Sequence, residues 1–286
     1  MMLNLAQRNL KIFFRQKSSV FFSLLGVFVI IGLYVVFLGD VWTQNYVDLP
    51  EIKTLMNSWI MAGIISITAI TTTMGAFGTM VDDRVRKNSK DFYASPIKRS
   101  TIMGGYILSA YLVGLLMSLL AFGLGEAYIV FSGGELLSFF ETIKVFGAIL
   151  LSVMMSSSLV FFIVSFFTSN SAFATASTII GTLIGFLTGI YLPIGTLPDG
   201  VQWAVKLFPV SHAGALIRQV MMEGPMATSF AGIPETYSTK FSNLMGITYT
   251  YGDFTATATT HILVLAGSTI IFLVLALLNV SRKSQI

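Results

Sequence analysis

Cysteine is absent from the 286 residues, which excludes disulfides, thiol nucleophiles and cysteine metal sites. Charge is scarce: Asp, Glu, Lys and Arg make up 10% of the chain, where soluble domains carry about 25%. That shortfall excludes an ordinary water-soluble globular protein. No Gly-Lys dipeptide occurs, so the chain has no phosphate-cradling P-loop of its own. His212 and His261 are the only histidines, and no H-E-x-x-H pattern occurs. Neither a metal site nor a histidine-based nucleophile relay can be assembled from them, and we assign no catalytic residue and no metal ligand. The net charge of +4, from 17 basic against 13 acidic residues, is too small an excess to point to nucleic acid.

What is present is apolar length. Hydrophobic residues make up 55% of the chain, and the mean hydropathy is +0.81. Six runs are long and apolar enough to cross a bilayer: Ser19–Gly39, Trp59–Met80, Ile102–Phe131, Ile143–Phe167, Phe173–Leu192 and Ile262–Val280. Lipid-exposed backbone must satisfy its own polar groups, so each is expected to be helical. The expectation is a single all-α transmembrane domain over residues 1–286. The third run is too long for a vertical span and should tilt or project beyond the membrane.

Charge placement orients these spans. Arg8, Lys11, Arg15 and Lys17 precede the first span without an acid. Arg84, Arg86, Lys87, Lys90, Lys98 and Arg99 lie between the second and third, against Asp82, Asp83 and Asp91, and Arg282 and Lys283 follow the last. Twelve of the 17 basic residues thus share one side with three acids. By the positive-inside rule that side, with both termini, is cytoplasmic. Before the first span, Leu3, Ala6, Leu10, Phe13 and Phe14 share a helical face opposite Asn4, Arg8, Lys11 and Arg15. The pattern predicts an amphipathic helix over residues 1–17 lying in the headgroup plane.

Two connections are informative. The cytoplasmic loop 81–100 is compact and charged; Ser89 can cap a short helix through Phe92 and Tyr93, and Pro96 forces Ser95 out of helical geometry. It would serve either as a docking element or as a lipid-binding polybasic patch. The external loop 193–260 holds two apolar helical stretches, Pro198–Phe208 and Ser211–Met222, bounded by Pro209 and by Gly224-Pro225. These should be interfacial or re-entrant segments.

Glu126 is the single acid or base clearly within a span, Lys144 standing at the very start of the fourth, and an intramembrane carboxylate is by default a functional candidate, here for substrate passage or gating. Near the outer interface it could instead reach water or serve a structural role. The second and fifth spans carry many small polar residues. A pathway wall needs mild hydrogen-bonding capacity without charge, so Thr68, Thr72 and Phe77 of the second span and Thr178, Thr182 and Phe186 of the fifth are candidate pathway residues. Gly181, Gly185 and Gly189 form overlapping small-xxx-small units suited to close helix packing.

This arrangement resembles the permease subunits of type-2 ABC exporters over nearly its whole length. The resemblance rests on the basic leading helix, the six spans, and two local patterns. One is Asp82-Asp-Arg-Val-Arg-Lys followed by Lys90-Asp-Phe-Tyr-Ala-Ser-Pro-Ile-Lys-Arg99. The other is Leu192-Pro-Ile-Gly-Thr-Leu-Pro198 with Phe208-Pro-Val-Ser-His-Ala213 and Arg218-Gln-Val-Met-Met222. The resemblance implies a bacterial cytoplasmic-membrane protein that pairs with a second permease subunit, as a homodimer. It implies two copies of a separate ABC ATPase, which bind ATP and Mg. In that reading Ser89–Pro96 is the coupling helix, with Arg84, Ser89, Lys90, Asp91, Phe92, Tyr93 and Ser95 as ATPase-coupling residues, and 168–171 a lesser contact. It also implies a pathway lined mainly by the second and fifth spans, carrying drug-like, lipid-like or peptide compounds; the uncharged wall leans toward amphipathic cargo. An ion-coupled transporter or channel without an ATPase is the rival, although such carriers bury more acids than one. An intramembrane enzyme would need a catalytic constellation that the residues do not offer.

Overall fold

The structure is a computed structural model that describes residues 1–34, 46, 49–88, 92 and 97–283. Among these the chain is nearly all-α. Helix α1 spans Met2–Arg15, α2 Lys17–Leu33, α3 Ile52–Val85, α4 Arg99–Phe131, α5 Phe139–Val164 and α6 Asn170–Leu187. A 3₁₀ turn at Ile194–Thr196 leads to the short helices α7 (Asp199–Leu207), α8 (Pro209–Met221), α9 (Glu223–Ser229) and α10 (Glu235–Leu244). A two-stranded antiparallel hairpin, Thr250–Tyr251 with Phe254–Thr255, precedes α11 (Ala258–Lys283). Five of these helices, α3 to α6 and α11, are long and apolar enough to cross a membrane. Helix α2 begins the first expected span, whose remainder through Gly39 lies outside the described residues.

Local chemistry explains several boundaries. Helix α5 opens on a capping box: the Ser138 hydroxyl accepts the Glu141 N–H, and the Glu141 carboxylate accepts the Ser138 N–H. The Ser169 hydroxyl caps α6 in the same way by accepting from Ala172 N–H. Helix α4 starts at Arg99 after an extended Lys98, with no side-chain cap. Pro209 does not merely stop the preceding helix; it occupies the first position of α8, where its missing N–H has no helical partner to lose and its φ is already helical. Gly224-Pro225 likewise lies within the first turn of α9, where proline is again tolerated.

Helix α3 is the axis of the bundle. It packs against α4, α5, α6 and α8, with α1, α2 and α9 at its periphery, and nearly all of its apolar stretch is buried. At 34 residues it is about 50 Å long at 1.5 Å per residue, more than a bilayer core of about 30 Å. It is therefore longer than the apolar slab it would cross. Helix α4, nearly as long, runs alongside it. The short helix α8 packs between α3, α5 and α11. Helix α6 is the least covered of the long helices, touching α3 on one side and leaving Ile179, Leu183 and Phe186 exposed. Outward apolar side chains on α4 and α11, such as Leu116, Leu120, Leu263 and Ile270, are what a lipid-facing surface requires.

Candidate functional site

Three places in the bundle concentrate polar chemistry. The first is the end of α3 that carries Asp82, Asp83 and Arg84. Asp83 is buried, and its carboxylate accepts two hydrogen bonds from the Arg8 guanidinium of α1, at 2.6 and 2.9 Å, one from the Tyr106 hydroxyl of α4 at 2.6 Å, and one from Asn88 at 3.1 Å. Bidentate charge-assisted bonds of this kind fix orientation as well as energy. Buried Asn9, also on α1, donates to Ser109 of α4 at 3.4 Å. Gly105 lets Leu5 lie directly on α4, since a Cβ there would come within 2.8 Å of the leucine side chain. The amphipathic leading helix is thus clamped onto the bundle through its polar face and its apolar face together.

That clamp reaches both connections expected to meet an ATPase. The Arg8 guanidinium stands over the Phe92 ring at 5.4 Å. Arg84, the residue next to Asp83, donates to the carbonyls of Val164 and Phe167 at the end of α5, each at 3.1 Å, a favourable place for a cation. Asp82 accepts from Asn170 at 2.7 Å, at the start of α6. The loop 81–100 and the turn 168–171 are therefore joined through neighbouring residues of one helix end. Of the coupling candidates, Arg84 and Phe92 are at this junction; Ser89, Lys90, Asp91, Tyr93 and Ser95 lie outside the described residues.

The second place is the membrane interior, where the candidate pathway residues divide into two groups. On α3, Thr68 and Thr72 are buried and their hydroxyls donate to the Ile64 and Thr68 carbonyls of their own helix. Phe77, also buried, stacks on Phe161 with ring centroids 5.8 Å apart. On α6, Thr178 and Thr182 are exposed, again with hydroxyls bonded four residues back. Phe186 is 45% exposed and meets Tyr191 edge-on. Of the candidate pathway residues, then, only the α6 group faces outward. The three glycines also separate: Gly181 has open space around it, Gly185 is held close by the Tyr191 ring, and Gly189 lies past the end of α6 with φ +68°. There the Gly189 N–H donates to the Phe186 carbonyl and the Ile190 N–H to the Gly185 carbonyl, which closes the helix in a left-handed turn.

The third place is the opposite end of the bundle from Asp83. Glu126 of α4 is only 9% exposed. One carboxylate oxygen, Oε2, accepts from Leu137 N–H at 3.1 Å, while Oε1 has no partner among the described residues. It borders a cavity of about 220 Å³ that Glu51, Glu135 and Glu141 also line. Deeper under the same end, residues of α8 that carried no assigned role in the sequence prove central. Arg218 is fully buried, with its guanidinium 4.8 Å from the Trp59 ring of α3 and none of its nitrogens hydrogen-bonded among the described residues. His212 and His261, distant in sequence, meet with Nδ1 atoms 2.8 Å apart. The His212 Nε2 lies 2.7 Å from the Lys206 carbonyl and must donate to it, so its Nδ1 accepts from His261. Burial holds the His212 imidazolium form below its ordinary range. Tyr249 packs edge-on against both rings, and burial pushes its phenol up to about 12. No spacing in the sequence pairs these residues; the packing of α8 against α3 and α11 brings Arg218 to Trp59 and His212 to His261.

A family model described as ABC-2 family transporter protein matches residues 40–278. No curated protein matches the chain.

Proposed function

The chain belongs to the ABC-2 transporter family, and from that premise we propose that it is the membrane-spanning permease subunit of an ATP-driven exporter, coupled to a separate ATPase through loop 81–100. The observation that supports this most directly is the junction at Asp83. A force applied to loop 81–100 meets Phe92, then Arg8, then the carboxylate on the central helix, and through Arg84 the end of α5. A loop that only bound lipid would have no need to be tied into four helices. In this reading the Asp83 end and both termini are cytoplasmic, in a bacterial inner membrane. ATP and Mg belong to the partner, consistent with a chain that has no P-loop.

Two copies are needed for a closed pathway. Helix α6 leaves an apolar face with Thr178, Thr182 and Phe186 uncovered, and a second copy meeting that face would place these side chains at the centre of a homodimer. Helix α3 then acts as a stiff core that transmits motion, while α6 forms the wall that cargo touches. Cargo of this type would be drug-like, lipid-like or peptidic.

The test is co-purification of the chain with ATPases from its native membrane, followed by ATP hydrolysis and transport assays on the recovered complex. An associated ATPase is expected, with Phe92→Ala or Asp91→Arg lowering transport and substrate-stimulated hydrolysis while the permease still folds. A chain that transports with no ATPase bound is an ion-coupled carrier or channel, and the proposal then fails.

A further inference from the structure

The geometry points to a binding site for an organic cation, an alkylammonium or guanidinium group, in the glutamate-lined cavity at the Glu126 end of the bundle. Its place on the route of cargo rests on the exporter reading above. The site itself rests on three observations. First, Glu126 is buried and carries one carboxylate oxygen without any hydrogen-bond donor among the described residues. A buried carboxylate oxygen left unpaired costs its desolvation, and the group that removes the cost is a donor bearing positive charge. Second, the cavity beside it is bordered by Glu51, Glu135 and Glu141 and, among the described residues, by no basic side chain. Lys144, which acts electrostatically on Glu141, makes its ion pair with Glu223 at 3.3 Å.

Third, the shape and lining distinguish an organic cation from a metal ion. Among the described residues no three acidic or histidine side chains converge closely enough to hold a metal. At about 220 Å³ the cavity is far larger than a bare ion needs. Part of its wall is apolar, with Ile129 and Leu137 among the lining residues, which suits a hydrocarbon arm attached to the charged group. Leu137 also supplies the N–H that holds Oε2, so one residue orients the carboxylate and offers the apolar contact. The carboxylates of Glu135 and Glu51, on exposed residues at the rim, would attract the cation, and Glu126 would hold it.

The probe is phenethylammonium, with neutral phenethyl alcohol as the tail-matched control, titrated calorimetrically into the purified chain in neutral maltoside micelles. Binding of the ammonium and not the alcohol is expected, weakened at least tenfold in Glu126→Gln. Equal binding of both compounds, or unchanged ammonium binding in Glu126→Gln, overturns the site. A second measurement on the unaltered chain removes dependence on the variant's folding: phenethylammonium should slow carbodiimide labelling of Glu126, and undiminished labelling overturns the site. Neither measurement involves an ATPase, so loss of the exporter reading leaves them standing. Conversely, an ATPase complex whose hydrolysis ignores a bound ammonium refutes the cavity's place on the export route while leaving the site intact.

Discussion

Replacing Arg218 by methionine should make the protein more stable. The guanidinium is fully buried on α8, and its three nitrogens have no hydrogen-bond partner among the described residues. Among the described residues, its guanidinium stands over the face of Trp59 at 4.8 Å. Desolvating such a cation costs several kcal/mol even after relaxation, and a desolvated cation–π contact returns about 2 kcal/mol. Methionine occupies similar length, carries no charge to desolvate, and can place its sulfur against the same ring for roughly 0.3–1.5 kcal/mol. The expected outcome is a gain of about 1–3 kcal/mol, within the range seen when buried ionic groups give way to apolar ones. Arg218→Lys should go the other way, by about 1 kcal/mol, because the ammonium keeps the desolvation cost and loses the planar stack. Equilibrium unfolding in maltoside micelles, followed by tryptophan fluorescence, measures both; Trp59, one of three tryptophans, sits at the perturbed position. A loss of more than about 2 kcal/mol in Arg218→Met would mean that the buried cation is compensated, and the reasoning from its isolation would be refuted.

Gly189→Ala should destabilise by about 2 kcal/mol. The left-handed conformation at φ +68° costs an L-residue about 1–2 kcal/mol, and the new Cβ would stand 2.5 Å from Ile194 Cγ1; a loss under about 0.5 kcal/mol in the same unfolding assay contradicts this. Acid should weaken the closure between α8 and α11. Burial depresses the folded-state pKa of His212, so below the unfolded value of about 6.5 the unfolded chain binds more protons. The contribution is present above that pH and is lost as pH falls through it toward the depressed folded value. Unfolding at pH 7.5 and 5.0 should show the difference, and His212→Gln should shrink it; a flat profile in the unaltered protein rules the linkage out.

Long apolar runs were legible in the sequence because a bilayer demands unbroken helices of a set length; α3, α4 and α11 cover the runs assigned to them, whereas α5 ends at Val164 and α6 at Leu187, short of the expected Phe167 and Leu192. Side-chain direction was not legible. Serine and threonine in a helix can satisfy themselves on the carbonyl four residues back, as Thr68, Thr72, Thr178 and Thr182 all do. A high hydroxyl count therefore marks helices that tolerate polar groups, and burial then separates the core helix α3 from the open helix α6. Proline signs were ambiguous for a related reason: Pro209 ends one helix and begins the next, and only the packing of α8 into the bundle selects the second role.

Charge shows the same division between what composition reports and what folding decides. Arg8 contributes to the basic excess that orients the spans, and Asp83 subtracts from it. In the folded chain the two form one ion pair at 2.6 Å, with Tyr106 and Asn88 bonding the same carboxylate. Their opposite signs cancel in any count along the sequence. Yet the pair is what attaches α1 to the central helix and places the guanidinium over Phe92. The basic residues at the Asp83 end of the bundle thus fall into two populations. Those left in solvent can only report orientation through the membrane field. Arg8, joined to a buried acid, and Arg84, bonded to the Val164 and Phe167 carbonyls, are held in fixed positions, and a fixed charge can transmit displacement between a loop and a span where a solvated one would simply reorient.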